Sequence, residues 1–347
     1  MTEPIDQIPV DAPSPDGSRA LSETVASSGD DLYQVGDDVD DSDEKRRLTH
    51  RAERAVAARY WGAAQPRIVL TFLAMLVAWT AVIWLGLVGV IPLWIGLILN
   101  SFLASTFYMP MHEAIHGNIL GKSPKSRWGE DLIGMVCSIP LGFSYKPHRA
   151  SHMRHHAYTN QPGRDPDLYT DGPLSELPLK WLSIQFVSEI LPLLAFVPSS
   201  RRLIPSRIKG GLRADSGSKS AGLQQLRFWI FTHGILLIAF LLGVGWPALL
   251  LWYLPAKIQS FWLTFIFAWY PHHPASKVGR YVDTRVAVFR GSRFIIRGHD
   301  HHAMHHLFPR VPHYRLRALW ADLAEEMVPK GVRSEGRALG ATGPVVW

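Results

Sequence analysis

Residues 68–87 form an apolar run of 20 residues without a single charged side chain. That is the length a helix needs to cross a bilayer. In hydrocarbon every backbone N–H and C=O has to bond within its own segment or a closed barrel, so such a run reads as a helix. A second run, 93–109, returns after the short stretch 88–92, which holds Gly89 and no base. A second pair, at 228–244 and 250–270, turns around Gly245-Trp246-Pro247. Lys257 and Gln259 lie inside the last run. A lysine in hydrocarbon is costly and has to face protein, water or the interface, so Lys257 either lines a substrate path or marks a tilted span. His233 is isolated in its span and reads as a packed core residue. Two further apolar stretches, 132–143 and 181–197, are too short or too interrupted (Glu189, Pro192) to count as crossings, and read as buried or interfacial segments. The expected fold is an all-α integral membrane protein with four transmembrane helices in two hairpins.

Charge orients these spans. The net charge of +7 conceals an asymmetry: residues 1–44 hold thirteen acids and one base, Arg19. Few large apolar residues accompany them, so this stretch is expected to be a disordered acidic tail. It lacks the basic region and apolar core of a signal peptide. Neither hairpin tip contains Lys or Arg, whereas every long connecting segment is basic. By the positive-inside rule both termini and the connecting segments are expected in the cytoplasm, with the protein in the cell inner membrane. The domain reading is a tail at 1–44, a membrane domain at 45–327, and a flexible tail at 328–347. Within the domain, 205–225 reads as a polar connector and 314–327 as a helix with Leu316, Leu319, Trp320 and Leu323 on one face.

The cytoplasmic side carries the chemistry. Residues 299–306 read HDHHAMHH, in which His302, His305 and His306 make an HxxHH group. His152, His155 and His156 repeat it, and His112 and His116 are spaced HxxxH. On a helix, residues three or four apart share a face and can serve one ion. Adjacent histidines diverge by about 100°, so the pairs His155-His156 and His305-His306 more naturally serve two ions than one. A lone HxxxH is commonplace; three such groups in one chain are not. About nine imidazoles are enough for two five- or six-coordinate ions, as a non-haem iron pair requires. The single cysteine, Cys137, excludes thiolate zinc sites, iron–sulfur clusters and internal disulfides, and reads as a small buried apolar residue.

These groups resemble the three histidine boxes of the membrane fatty acid desaturase family. They read HEAIHG at 112–117, HRASHMRHHAYTN at 148–160 followed by Arg164-Asp165-Pro166-Asp167, and HHAMHHLFPRVPHYRL at 301–316. The resemblance covers about 67–320, and the tail of the third box is the closest part of it. It implies two Fe2+ ions held by His112, His116, His152, His155, His156, His302, His305 and His306. It also implies one further ligand upstream of the third box, for which His272 and His273 both qualify. His273 is favoured, since it directly follows the last apolar run. His148, His272 and His301 are extra candidates, and His148, His299 and His301 equally suit supporting or surface positions. Asp165, Asp167 and Asp300 are expected to orient ligand imidazoles through the distal N–H, ordinary capping being the competing reading. Glu113 also sits beside the first box.

The function implied is a lipid desaturase that uses dioxygen on a fatty acyl chain. The alternative is a hydroxylase, ketolase or decarboxylase of the same chemistry acting on a carotenoid or other long apolar substrate. A metal transporter would place its histidines and acids near mid-membrane, and nearly all histidines here lie beyond the span ends. A bis-histidine haem protein would not need HH pairs. The chain has no cysteine cluster, no Gly-rich dinucleotide fingerprint and no HPGG segment, which implies an external electron donor of ferredoxin or cytochrome type. The basic face suits an acidic donor or anionic headgroups. It borders membrane spans and is no evidence for nucleic acid.

Overall fold

The structure, a computed structural model, describes residues 41–123, 126–195 and 219–347. Most of the expected acidic tail (1–40) and most of the polar connector lie outside the described residues. Residues 41–44, expected to close the tail, instead open a helix, α1 (Asp41–Ala57).

Among the described residues, four helical runs are long and apolar enough to cross a membrane. The first is α2 (Pro66–Leu87), with proline at the start, where a missing N–H is harmless. Gly89 takes the turn at φ 76°. The second run joins α3 (Leu93–Thr106) to α4 (Tyr108–His116). Pro110 accounts for the break at Phe107, because it cannot bond back to the Thr106 carbonyl. This span therefore continues through His116, whereas the sequence pattern ended it before His112. The third is α8 (Lys219–Leu241), and the fourth is a continuous helix, α9 (Gly245–Trp269), with two π-turns. Pro255 in α9 frees the Leu251 carbonyl, and Asn100 of α3 donates to that carbonyl from Nδ2 at 2.7 Å.

Leu251 also fixes the level of the hairpins. It fills a notch where a Cβ on Gly96 or Gly86 would stand 2.2 or 2.7 Å from its methyls. Gly86, Gly96 and Leu251 all lie next to hairpin tips, so both tips share one end of the bundle and the histidine-bearing ends share the other. Outward-facing Leu70, Val77, Trp84, Trp94, Ile98 and Phe102 are exposed, as expected of a surface whose solvent is lipid.

Several polar residues of the third and fourth spans reach partners outside them. Gln259 Nε2 donates to the Leu141 carbonyl (3.0 Å) and Trp252 Nε1 to the Ile139 carbonyl (2.8 Å). They thereby cap the last turn of α5 (Ser126–Leu141), whose carbonyls have no helical donor. Lys257 pairs with Glu189 of α7 (Leu177–Ala195), so its charge faces protein. His233, read as plain core, is half-buried; it stacks on Trp229 with ring centroids 4.1 Å apart and lies 3.1 Å from Glu189.

Over the histidine-bearing end lies a cap. It contains α5, α6 (Tyr145–Tyr158), the one-turn α10 (Ser292–Ile295), α11 (His302–Leu307) and α12 (Leu316–Met327). The face of α12 read from sequence, Leu316, Leu319, Trp320 and Leu323, is buried with Met304, Leu307 and Phe308. Two short parallel strands, β1 (Arg285–Val288) and β2 (Arg333–Gly336), pair from Arg285↔Arg333 to Val288↔Gly336. An all-α reading missed them. They also correct the expectation of a loose tail at 328–347. The buried Arg285 donates to Glu335 and to the Val346 carbonyl, both at 2.7 Å, and Trp347 packs 5.5 Å from Tyr270.

Candidate metal centre

Helix geometry sets out the imidazoles. His112 and His116 lie one turn apart at the end of α4, and His152, His155 and His156 lie along α6. His302, His305 and His306 share α11, and His272 follows α9 by three residues. The chain brings these nine side chains to two adjacent points. His112, His116, His152, His156 and His305 form one cluster, and His155, His272, His302 and His306 the other; the nitrogens of each lie within 4.8 Å of one another. Both adjacent pairs are split: His155 and His156 face different clusters, as do His306 and His305. The roughly 100° between neighbours on a helix does this without strain.

The spacing of the ring nitrogens tests whether a metal fits. In the first cluster the Nε2 atoms of His116 and His152 are 2.9 Å apart, those of His152 and His156 3.1 Å, and those of His156 and His305 3.0 Å. In the second, His155–His272 is 3.2 Å, and His272–His302 and His302–His306 are 3.0 Å. A neutral imidazole nitrogen offers one hydrogen or one lone pair, yet His152 and His302 each face two neighbours. Mutual hydrogen bonds therefore cannot satisfy the set, and a central cation can. Nitrogens about 2.1 Å from one ion stand about 3.0 Å apart at right angles and about 3.4 Å apart at the tetrahedral angle. The observed spacings fit the right-angled arrangement, which suits a five- or six-coordinate ion better than tetrahedral zinc. Both ring nitrogens of His112, and Nδ1 of His156 and of His272, are buried without a hydrogen-bond partner. Orphaned polar atoms of this kind cost about 1–3 kcal/mol each, and ligation of a ring nitrogen offsets part of that.

Surrounding groups hold the rings. Asp165 Oδ1 lies 2.8 Å from His155 Nδ1, while its other oxygen accepts the Asn160 N–H at 2.7 Å. Asn160 takes φ 61°, a left-handed conformation asparagine tolerates, and its Nδ2 donates to the Lys277 and Asp283 carbonyls. Thr159 Oγ1 is 3.2 Å from His306 Nδ1, and His299 Nδ1 is 2.8 Å from His302 Nδ1. Sequence reasoning gave Thr159 and Asn160 no role; their place as the last two residues of the second box was the only signal.

Other expectations fall differently. His273, the favoured ninth ligand, is corrected to His272: the His273 ring stacks on Trp269 at 4.4 Å and joins neither cluster. His148 sits 3.2 Å from the Tyr108 hydroxyl, outside both clusters. His301 is held 2.8 Å from Asp300 Oδ1, also outside, so Asp300 supports His301 and Ser292 rather than a clustered ring. Asp167 stands 3.8 Å from His155. Glu113 joins the first box to the tail of the third, accepting from Asn118 Nδ2 and the His313 N–H, both at 2.8 Å.

Burial dominates the electrostatics. It holds His152, His156, His272, His302, His305 and His306 well below the ordinary histidine range, so they stay neutral as ligands must be. His155 is the exception: burial pushes it down, but Asp167 and Asp165 together raise it. A small cleft opens beside the second cluster, lined by His155, Asp165, Asp167, Thr170 and His272 among others.

Comparison with known proteins agrees with this geometry. The chain is 27% identical over 247 residues to a chloroplastic omega-6 fatty acid desaturase of Brassica napus, a match covering 63% of this chain and 51% of that protein. It is 26% identical over 251 residues to an sn-1 acyl-lipid omega-3 desaturase (ferredoxin) of Synechocystis, covering 63% of this chain and 68% of the relative. A beta-carotene 4-ketolase of Haematococcus lacustris matches over 77 residues at 32% identity, covering 22% of this chain and 23% of the ketolase. The chain spans about half the length of the omega-6 relatives it matches. The fatty acid desaturase family itself matches residues 89–335, a stretch that begins at the first hairpin tip, contains all nine clustered histidines and ends in β2. With its boxes assembled at one end of four apolar spans, the chain belongs to the fatty acid desaturase family.

Proposed function

We propose that the chain is a membrane-bound oxidoreductase that uses dioxygen and external electrons to introduce a double bond into a fatty acyl chain. The observation that carries this reading is the five-and-four division of nine imidazoles. In this reading His112, His116, His152, His156 and His305 hold one Fe2+ ion, and His155, His272, His302 and His306 hold the other. When bound, the iron pair supplies dioxygen activation and hydrogen removal from an unactivated C–H bond. Two hydrogens leave adjacent carbons and, with two external electrons and two protons, reduce one O2 to two waters. The chain's own residues do the positioning. Asp165 fixes His155, Thr159 fixes His306 and His299 fixes His302, each through the nitrogen that faces away from the cluster. Burial keeps water off the site, and the exposed apolar flanks of the spans give a long acyl chain a route from the bilayer.

The electrons come from a separate donor of ferredoxin or cytochrome type, a reading supported by the ferredoxin in the name of one relative. The positive-inside pattern supports a cytoplasmic site in a cell inner membrane. A second reading, oxidation of a carotenoid, draws on the ketolase match. Lipid profiling of cells with and without the gene separates the two, with a His302→Ala control. Desaturation gives acyl chains lighter by two hydrogens, and ketolation gives an oxygenated carotenoid. A changed profile that survives His302→Ala overturns the assignment of the site.

A further inference from the structure

Between β1 and the third box the chain runs through residues 289–298, a loop built around α10. Phe294 in this loop is 83% exposed, more than any other large apolar side chain among the described residues, and Ile295 beside it is exposed too. Arg290 and Arg293 precede the pair, both exposed, and neither has an ion pair or hydrogen bond among the described residues. Arg297 closes the loop at φ 51°. Its guanidinium donates to the Ser105 carbonyl and, at 2.6 Å, to Ser105 Oγ on α3. It also lies 5.9 Å from the ring of Phe102, which is 67% exposed on the outer flank of that span. Burial without a carboxylate partner pushes Arg297 down to about 10. The acid nearest in sequence, Asp300, is engaged with Ser292 Oγ (2.7 Å) and His301 (2.8 Å).

We propose that this loop binds the phosphate of a membrane phospholipid, with Arg290 and Arg293 on the headgroup and Phe294 and Ile295 in the upper acyl layer. Guanidinium groups pair bidentately with phosphate oxygens, and an exposed aromatic flanked by cations is the composition of an interfacial anchor. Continuity with the outer flank of α3 selects a lipid headgroup over a phosphate free in water. The loop also leads into the metal centre. Ser292 is bonded to Asp300, and Arg297 precedes by two residues the His299 that orients His302. A lipid held here has its headgroup anchored at the edge of the site where its acyl chain is to react. The inference rests on the membrane reading above and deepens the proposed function by naming a phosphate-bearing glycerolipid as the substrate class.

The test needs no turnover, so its failure leaves the oxidation chemistry standing. The full chain carries one cysteine, Cys137, fully buried with its thiol pushed up by burial, so Phe294→Cys can be labelled selectively with an environment-sensitive fluorophore. In nanodiscs the label is expected to show an apolar environment and quenching by nitroxide lipids labelled near the ester level. Spin-labelled phosphatidylglycerol is expected to bind on the order of tenfold more tightly than phosphatidylcholine, and Arg290→Gln with Arg293→Gln to abolish that preference. Both arginines are exposed, so unchanged iron content in the double variant certifies its fold. Equal lipid preference in the two proteins, or a label at 294 that stays in water, overturns the proposal. So does full displacement of phosphatidylglycerol by millimolar inorganic phosphate, which would make this a site for soluble phosphate.

Discussion

The choice between His272 and His273 shows what one residue of register decides. Adjacent positions following a helix point in different directions, and here one reaches the second cluster while the other lies on Trp269. His272→Ala is expected to remove iron from the second cluster, lowering the content of purified protein from about two ions toward one. His273→Ala is expected to leave it unchanged. The opposite pattern in elemental analysis would return the ninth ligand to His273. Asp165 allows a second comparison. Its carboxylate meets His155 directly, whereas that of Asp300 is spent on His301 and Ser292. Asp165→Asn is expected to weaken iron retention by about 10–100-fold, with Asp300→Asn well short of that, as chelator competition can measure. Equal losses would show that distance to the clustered ring does not matter. The sequence held the boxes and both aspartates, but it could not say which carboxylate touches which ring. That depends on how the 160–167 turn folds back on α6.

At the scale of elements, the site exists because helices far apart in sequence are held at fixed spacing. Tyr145 at the start of α6 does much of this. Its hydroxyl lies 2.9 Å from Asp131 Oδ1 of α5 and 3.2 Å from the Ala114 carbonyl of α4, so it ties the second box to the first. The ring fits only because residue 134 is glycine: a Cβ there would stand 2.3 Å from its Cε2. A ring pinned at its hydroxyl cannot swing away like a leucine terminus. Gly134→Ala is therefore expected to destabilise the protein by about 1–3 kcal/mol and to lower iron content with it. Thermal unfolding in detergent and elemental analysis check both, and a variant with wild-type values would show that the Tyr145 contact does not set the box spacing. The four spans were legible because composition alone specifies them. Their ends were less so. Nothing in the apolar pattern shows that α4 carries the second span through His116, because the histidines that continue the helix are polar. The two short strands were illegible for another reason: their pairing joins residues 285 and 333, and each is too short to show a pattern.

For the molecule as a whole, the dominant fact is that so many imidazoles are withdrawn from water in one place. The sequence displayed the histidines but not their burial, which requires the cap, with α12 and the β1–β2 pair, to close over them. Burial holds His152, His156, His272, His299, His302, His305 and His306 well below their ordinary range. An unfolded chain protonates the same rings near pH 6.5. As pH falls through that value, the unfolded state gains protons that the folded state refuses. The stability these groups contribute is therefore complete above about pH 6.5 and is lost as pH falls toward their folded values. Each such group can contribute a slope of up to about 1.4 kcal/mol per pH unit. His155 works in the other direction, since its aspartates raise it, and contributes stability that fades as pH rises. Seven against one gives a steep net loss on acidification. The metal-free protein in detergent is expected to melt at clearly lower temperature at about pH 5.5 than at about pH 7.5. The iron-loaded protein should resist until protons displace the ions, because ligation and burial both demand neutral rings. A flat melting profile for the metal-free protein across that interval would mean that water reaches the histidines, and that the cap does not close over the site as the structure has it.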